Sequence, residues 1–320
     1  MSLQTPVVFM VFNRPETTAR VFESIRQARP SRLLVICDGP RSHVPADAGN
    51  VAQVREIIDR GVDWACEVLT NYAPQNMGCR DRVASGLNWA FSVVEEAIIL
   101  EDDCLPDPSF FPYCEELLER YREDERVMHI GSNNFQGWRR RTKDSYYFSK
   151  YNHIWGWATW RRAWQKYDAT VASWTQPGIR ERIIRSFDSD AEAEYWLDKF
   201  DWISGRFEEV TTWDYQWTYS CWLNEALSIS PARNLVTNIG IGNESTHSGE
   251  YAKKMQIPAR HLGKLRHPVS LERNVAADRF TFEFVYTYQD PNPWLRNYYR
   301  AKIALGSAKN KLLAALFPRK

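Results

Sequence analysis

The sequence predicts an α/β protein built on a mostly parallel sheet flanked by helices. Within the first 105 residues, short apolar runs alternate with segments of helical periodicity, and each run ends in polar residues rather than in a hairpin turn. The composition supports a large core. Of 320 residues, 44% are hydrophobic and 25% charged, ordinary for a globular chain.

"PVVFMVF" reads as a buried strand, followed by a helix "ETTARVFESIRQA" that Asn13 caps and Pro15 opens. "RLLVICDG" is a second strand and "AGNVAQVREIIDRG" a second helix, stopped by Gly61. "ACEVLTNY", the loop "APQNMGCRD", the helix "RVASGLNWAFSVVE" and the strand "AIIL" complete a β-α-β-α-β-α-β series. Right-handed crossovers then place helices on both faces of the sheet. Further on, "SFFPYCEELLERYRED" is an amphipathic helix and "RVMHIGSNN" another strand. Residues 138–210 read as mostly helical and Trp-rich, and "ALSISPARNLVTNIGIGNESTH" returns to strand patterning. Trp157, Trp160 and Trp164 recur at helical spacing and read as core.

Several classes are excluded or disfavoured. The net charge of +1 supplies no field for nucleic acid. Six cysteines without a Cys-x-x-Cys pair make neither a zinc framework nor a disulfide scaffold. The N-terminal apolar run is too short for a signal peptide or a membrane span, and no stretch reaches the ~18 apolar residues a span requires. These readings predict a cytoplasmic protein. No Walker loop and no G-x-G-x-x-G follows the first strand.

In open α/β sheets ligands bind beyond the carboxyl ends of the strands. Asn13 and Arg14 follow the first strand, Asp38 and Gly39 the second, and Glu101, Asp102 and Asp103 the fourth, in "AIILEDDCLPDPSFF". Three consecutive carboxylates repel one another and are costly to bury unpaired. A trio at a strand end is either a solvated turn or a place for a divalent cation, with a nucleotide diphosphate supplying further oxygens; magnesium and manganese suit such ligands. Arg14 is placed to offer a forked donor to phosphate or base. Asp38 in "DGP" equally suits an Asx turn, and Thr211 to Asp214 fits a helix capping box.

"FNRPETT", "CDG", "ILEDDCLPDPSFF", "GWATWRRAW", "WDYQW" and "PARNLVTNIG" together resemble, over about residues 6–247, a GT-A type glycosyltransferase. The bacterial branch concerned is close to the N-acetylglucosaminyltransferase I family and to family 2-like glycosyltransferases. The resemblance implies a Rossmann-like sheet with an acceptor-side α+β half. Residues 1–105 would bind the nucleotide sugar, and residues 106–288 would bind the acceptor and carry catalysis. It implies that Asp103 binds manganese or magnesium, that Asp102 meets the ribose and Glu101 the donor sugar, and that Asp38 reads the uracil ring. Asn13 and Arg14 would contact the nucleotide, and Asp214 would be the base of an inverting transfer. Asn76, Arg80 and Arg82 belong to a loop that lies over the donor in this fold, and His247 would be a late metal ligand. Trp155 and Trp213 are the tryptophans placed to stack on an acceptor sugar. The family's base lies in a Trp-Asp-Asp-Trp run, whereas this chain has Trp213, Asp214, Tyr215, Gln216 and Trp217.

The expected partners are a nucleotide-sugar donor and a glycan or lipid-linked acceptor, with no nucleic acid. Residues 289–320 read as a basic amphipathic helix, since from Pro291 onward there are seven basic residues and no acidic ones. It would lie either on an anionic membrane, as a peripheral contact, or against the protein or a second subunit. Two rivals remain: a nucleotidyltransferase that makes nucleotide sugars, which would need a Gly-rich first loop, and a non-catalytic carbohydrate-binding protein, which leaves the acidic trio unexplained.

Overall fold

The computed structural model of the chain describes residues 2–240, 255–287, 294 and 297–305. β1 (Val7–Val11), β2 (Arg32–Cys37), β3 (Glu67–Tyr72) and β4 (Glu96–Glu101) alternate with α1 (Pro15–Ala28), α2 (Pro45–Gly61) and α3 (Cys79–Val93). The chain then forms β5 (Cys104–Pro106), α4 (Phe110–Arg120), β6 (Val127–Gly131), β7 (Tyr146–Ser149) and β8 (Trp157–Trp160). Helices α5 (Arg161–Trp164), α6 (Ile179–Ile184), α7 (Asp190–Gly205) and α8 (Asp214–Leu223) follow. β9 (Leu227–Pro231), β10 (Val236–Asn238) and α9 (Val275–Thr281) complete the series.

Among the described residues the main sheet has eight strands in the order β3-β2-β1-β4-β8-β6-β9-β7. The first four are mutually parallel, as the alternation requires. β8 runs antiparallel between β4 and β6, so β6 points the same way as β4. A separate antiparallel ribbon pairs β5 with β10.

The sheet divides two cores, and strand alternation assigns residues to them. Val7, Phe9, Val11, Leu33, Val35 and Cys37 face α1, α2 and α4. Val8, Met10, Leu34 and Ile36 face α3, α7 and α8. Trp157 and Trp160 are core residues as expected, but they lie on β8 rather than on a helix. Three residues apart in an extended strand, they point to opposite faces, Trp157 into one core and Trp160 into the other.

Asn13 does not cap α1. Arg14 occupies the capping position without a side-chain bond, and the Asn13 amide donates to Asp47 Oδ1 at 2.7 Å. The described part of the C-terminal segment packs on the protein itself. Tyr299 is buried with its ring 5.4 Å from that of Tyr195, Tyr298 donates to Glu194 at 2.8 Å, and Lys302 pairs with the same carboxylate. No helix among the described residues is long and apolar enough to cross a membrane.

Candidate active site

The carboxylate trio lies where β4, buried along its centre, gives way to the β5 turn. Asp102 is buried and its Oδ2 accepts the backbone N–H of Phe12 at the end of β1, at 3.1 Å. Arg14 reaches across from the same strand end, with Nη1 2.9 Å from Asp103 Oδ2 and 3.6 Å from Asp102 Oδ1. Cys104 Sγ donates to Asp103 Oδ1 at 3.5 Å. Behind Asp103 the chain of β10 returns, Ile239 N donating to the Asp103 carbonyl at 2.7 Å.

One arginine does not neutralise three carboxylates. Burial pushes the Glu101 carboxyl up, and the neighbouring Asp103 and Asp102 push it further. Asp102 is raised by burial and then by Asp103. Burial lowers Arg14, but Asp102 and Asp103 outweigh it, so the guanidinium is held more firmly charged. Glu101 Oε1 is shielded from solvent with no hydrogen-bond partner among the described residues, an arrangement that a cation or donor would relieve.

Asp38 ends β2 and spends both oxygens on the loop that follows β3. Oδ1 accepts from Gly39 N (2.8 Å) and Met77 N (2.9 Å), and Oδ2 from Asn76 Nδ2 (2.9 Å) and Gly78 N (3.1 Å). Gly39 lies so close to this loop that a β-carbon there would sit 2.4 Å from the Gln75 backbone. Asp38 therefore fixes the loop, and Asn76 is one of the groups it fixes.

Arg80 and Arg82, expected over the donor, are engaged by the protein itself. Arg80 Nη1 donates to the carbonyls of Phe207 (2.6 Å) and Val210 (2.8 Å), with its guanidinium 4.2 Å from the centre of the Phe207 ring. Arg82 is buried and donates to Cys37 O at 3.3 Å and Asn71 Oδ1 at 2.7 Å. Both guanidiniums satisfy backbone and side-chain oxygens of the protein, leaving them poorly placed to hold a diphosphate.

Asp214, distant in sequence, comes to the same end of the sheet. Its charge raises the carboxyl of Glu101. The thiol of Cys79, an exposed residue at the start of α3, is raised by partial desolvation of its sulfur and then by Glu101, Asp214 and Asp38, whose charges are near enough to act on it. Asp214 is the first residue of α8, after Trp213 at a capping position that makes no side-chain bond, so the expected capping box does not form. Burial raises the Asp214 carboxyl, while Thr212 and the N–H groups of Asp214 and Tyr215 pull it down.

Trp213 is not a sugar platform. It is buried, its ring stacked 5.6 Å from Trp157. Trp155 remains half-buried, its ring centre 5.6 Å from that of Phe135 in an edge-to-face pair and its carbonyl accepting from Ser132 Oγ at 2.6 Å. His247 lies outside the described residues. Two contributors escaped sequence reasoning: Cys79, beside the "NMG" turn, and Gly240, which packs on Asp103. The only sequence signal for the latter was a glycine directly after a strand.

A divalent cation fits the chemistry of this donor set, which is carboxylate oxygen with one oxygen unpartnered. Among the described residues no group of three or more His, Cys, Asp or Glu side chains is arranged to hold a metal ion.

No known family model and no curated protein matches the sequence. Among solved structures, the chain is similar to the mannosyltransferase PcManGT from Pyrobaculum calidifontis in complex with GDP-Man and Mn2+, at 11% identity and a TM-score of 0.39, covering 69% of this chain and 74% of that one. It is also similar to S. aureus TarS 1-349, at 9% identity and a TM-score of 0.42, covering 73% and 59%. A third similar structure is the galactosyltransferase LgtC in complex with donor and acceptor sugar analogs, at 12% identity and a TM-score of 0.38, covering 87% and 94%. At these values what the site does is read from its own geometry.

Proposed function

We propose that the chain is an inverting glycosyltransferase that moves a sugar from a nucleoside diphosphate, a uridine one, to a hydroxyl of a glycan or lipid-linked acceptor. The observation that supports this best is the cluster of Glu101, Asp102 and Asp103 with Arg14 at the carboxyl end of the sheet, near enough to Asp214 for its charge to act on Glu101.

Glu101 and Asp102 orient the donor, and Arg14 offers its outer N–H groups to phosphate. Asp103, with the diphosphate itself, would hold manganese or magnesium, whose charge makes the diphosphate a better leaving group. The acceptor oxygen attacks the anomeric carbon from the face opposite the diphosphate. The bond to the diphosphate breaks with its electron pair, and the acceptor's proton goes to Asp214. Its partial desolvation raises its affinity for that proton toward the working pH. Asp38 acts by holding the 76–78 loop, and Trp155 offers a partly exposed ring to the acceptor.

Calorimetry of UDP binding with and without manganese tests the reading. UDP is expected to bind tightly only with the ion, and Asp103→Ala to abolish the difference. Equal affinity in both conditions would remove the proposed site. A screen of nucleotide sugars for metal-dependent hydrolysis then identifies the donor.

A further inference from the structure

The loop leaving β6 runs into Gly137, Trp138, Arg139, Arg140 and Arg141. Because β6 points the same way as β4, this loop departs from the same end of the sheet as the carboxylate trio. Trp138 is 87% exposed, yet it belongs to an ordered stack. The Arg139 guanidinium lies 4.8 Å from the Trp138 ring centre and 4.2 Å from that of Phe280, while Arg141 lies 5.4 Å from Phe280. Phe280 in turn stacks on Phe284 at 4.3 Å. Gln136 ties the loop to α9, donating to Ala277 O at 3.2 Å and Thr281 Oγ1 at 3.0 Å and accepting from Arg141 Nε at 2.6 Å.

The charge of this stack is largely uncompensated. Among the described residues none of Arg139, Arg140 and Arg141 forms an ion pair with a carboxylate, although Glu283 is near enough to feel Arg139. Beside it lies a groove of about 410 Å³, whose lining includes Arg141, Thr142, Tyr147, Glu272, Arg273 and Asn274. An exposed indole offers an apolar face to a sugar ring, and guanidinium forks match phosphate or carboxylate. A concave, polar-lined groove suits an oligosaccharide better than a bilayer, which needs a continuous apolar face to enter it.

We propose that this surface binds a carbohydrate bearing phosphate or carboxylate groups, with Trp138 stacked on a sugar and Arg139 and Arg140 holding its charges at the mouth of the groove. That this carbohydrate is the acceptor rests on the transferase reading above; the binding itself does not.

The test compares hexagalacturonate with maltohexaose, a neutral probe of equal length, by calorimetry on the full chain. Hexagalacturonate is expected to bind at least about tenfold more tightly, with the preference shrinking as salt is added. Trp138→Ala should weaken the binding of both hexamers by about tenfold, and the double variant Arg139→Gln/Arg140→Gln should lose the preference, each while melting like wild type and binding UDP with manganese unchanged. Equal binding of the two hexamers by the wild type, a preference retained in the arginine variant, or unchanged binding in Trp138→Ala overturns the proposal. So does Trp138-dependent binding to phosphatidylglycerol vesicles without any preference for hexagalacturonate, which would make the surface a membrane contact. A wild type that prefers hexagalacturonate yet fails to bind UDP supports the surface and overturns the transferase reading instead.

Discussion

Gly240 packs against Asp103 so closely that a β-carbon built on it would come within 2.4 Å of the Asp103 carboxylate oxygen and 2.8 Å of its Cβ. The absence of a side chain at 240 therefore sets where that carboxylate stands and how it meets Arg14. Gly240→Ala is expected to displace Asp103 and weaken manganese-assisted UDP binding by about tenfold or more, at a stability cost of roughly 1 kcal/mol. Calorimetry paired with thermal melting reads both. Unchanged affinity would separate Asp103 from cation binding.

Asp214→Asn keeps the shape and the hydrogen-bond acceptor at the start of α8 but cannot take up a proton at neutral pH. Turnover should fall by roughly 10²-fold or more, with UDP affinity and melting temperature close to wild type. A stable variant with near-normal transfer would pass the role of base to another acceptor-side carboxylate, Glu208 or Glu209 among the described residues.

Trp213→Ala separates a core tryptophan from a sugar platform. Its ring stacks on Trp157 and meets Trp164 edge-on at 6.3 Å, so truncation should destabilise the fold by about 3–5 kcal/mol. Denaturant unfolding measures this. A small change in stability with a large rise in acceptor KM would return the residue to the acceptor site.

Asp278 provides a dependence of stability on pH. Burial pushes its carboxyl up to about 6, against the pull of Ser149, Lys150 and Arg273. A carboxyl raised in the fold contributes stability while protonated. That contribution is complete below its unfolded value and is lost as pH rises through about 6. Between roughly pH 4 and pH 7 this one group should remove about 2–3 kcal/mol, and Asp278→Asn should flatten that part of the profile. Urea unfolding at stepped pH decides it, and identical slopes in the two proteins would assign the dependence elsewhere.

β1, β2 and β4 were legible because a strand buried on both faces reads as a continuous apolar run, and polar residues at its end mark where it leaves the core. The same double burial hid β8. Tryptophans on both of its faces remove the alternation that betrays a strand, and their spacing of three imitates a helix. Arg14 and the trio could be nominated from the sequence because they are local to adjacent strand ends. Arg80 and Arg82 were misjudged because an arginine that holds carbonyl oxygens reads like one that holds phosphate. Their partners, Phe207, Val210 and Asn71, lie in other parts of the chain. The contact between Gly240 and Asp103 is likewise a product of the β5–β10 ribbon, which short-range patterning does not reveal.

Arg80 links the two sides of the crevice. Asp38 grips the loop that leads to Arg80, and Arg80 grips the carbonyls of Phe207 and Val210, a few residues before Asp214. The 76–78 loop and the segment leading to Asp214 are thereby yoked by a relay of hydrogen bonds between side chains and backbone. Slack anywhere in that relay would leave each half of the site intact and let the distance between them drift, so on the proposed transferase reading a protein damaged there would hold both substrates and seldom join them.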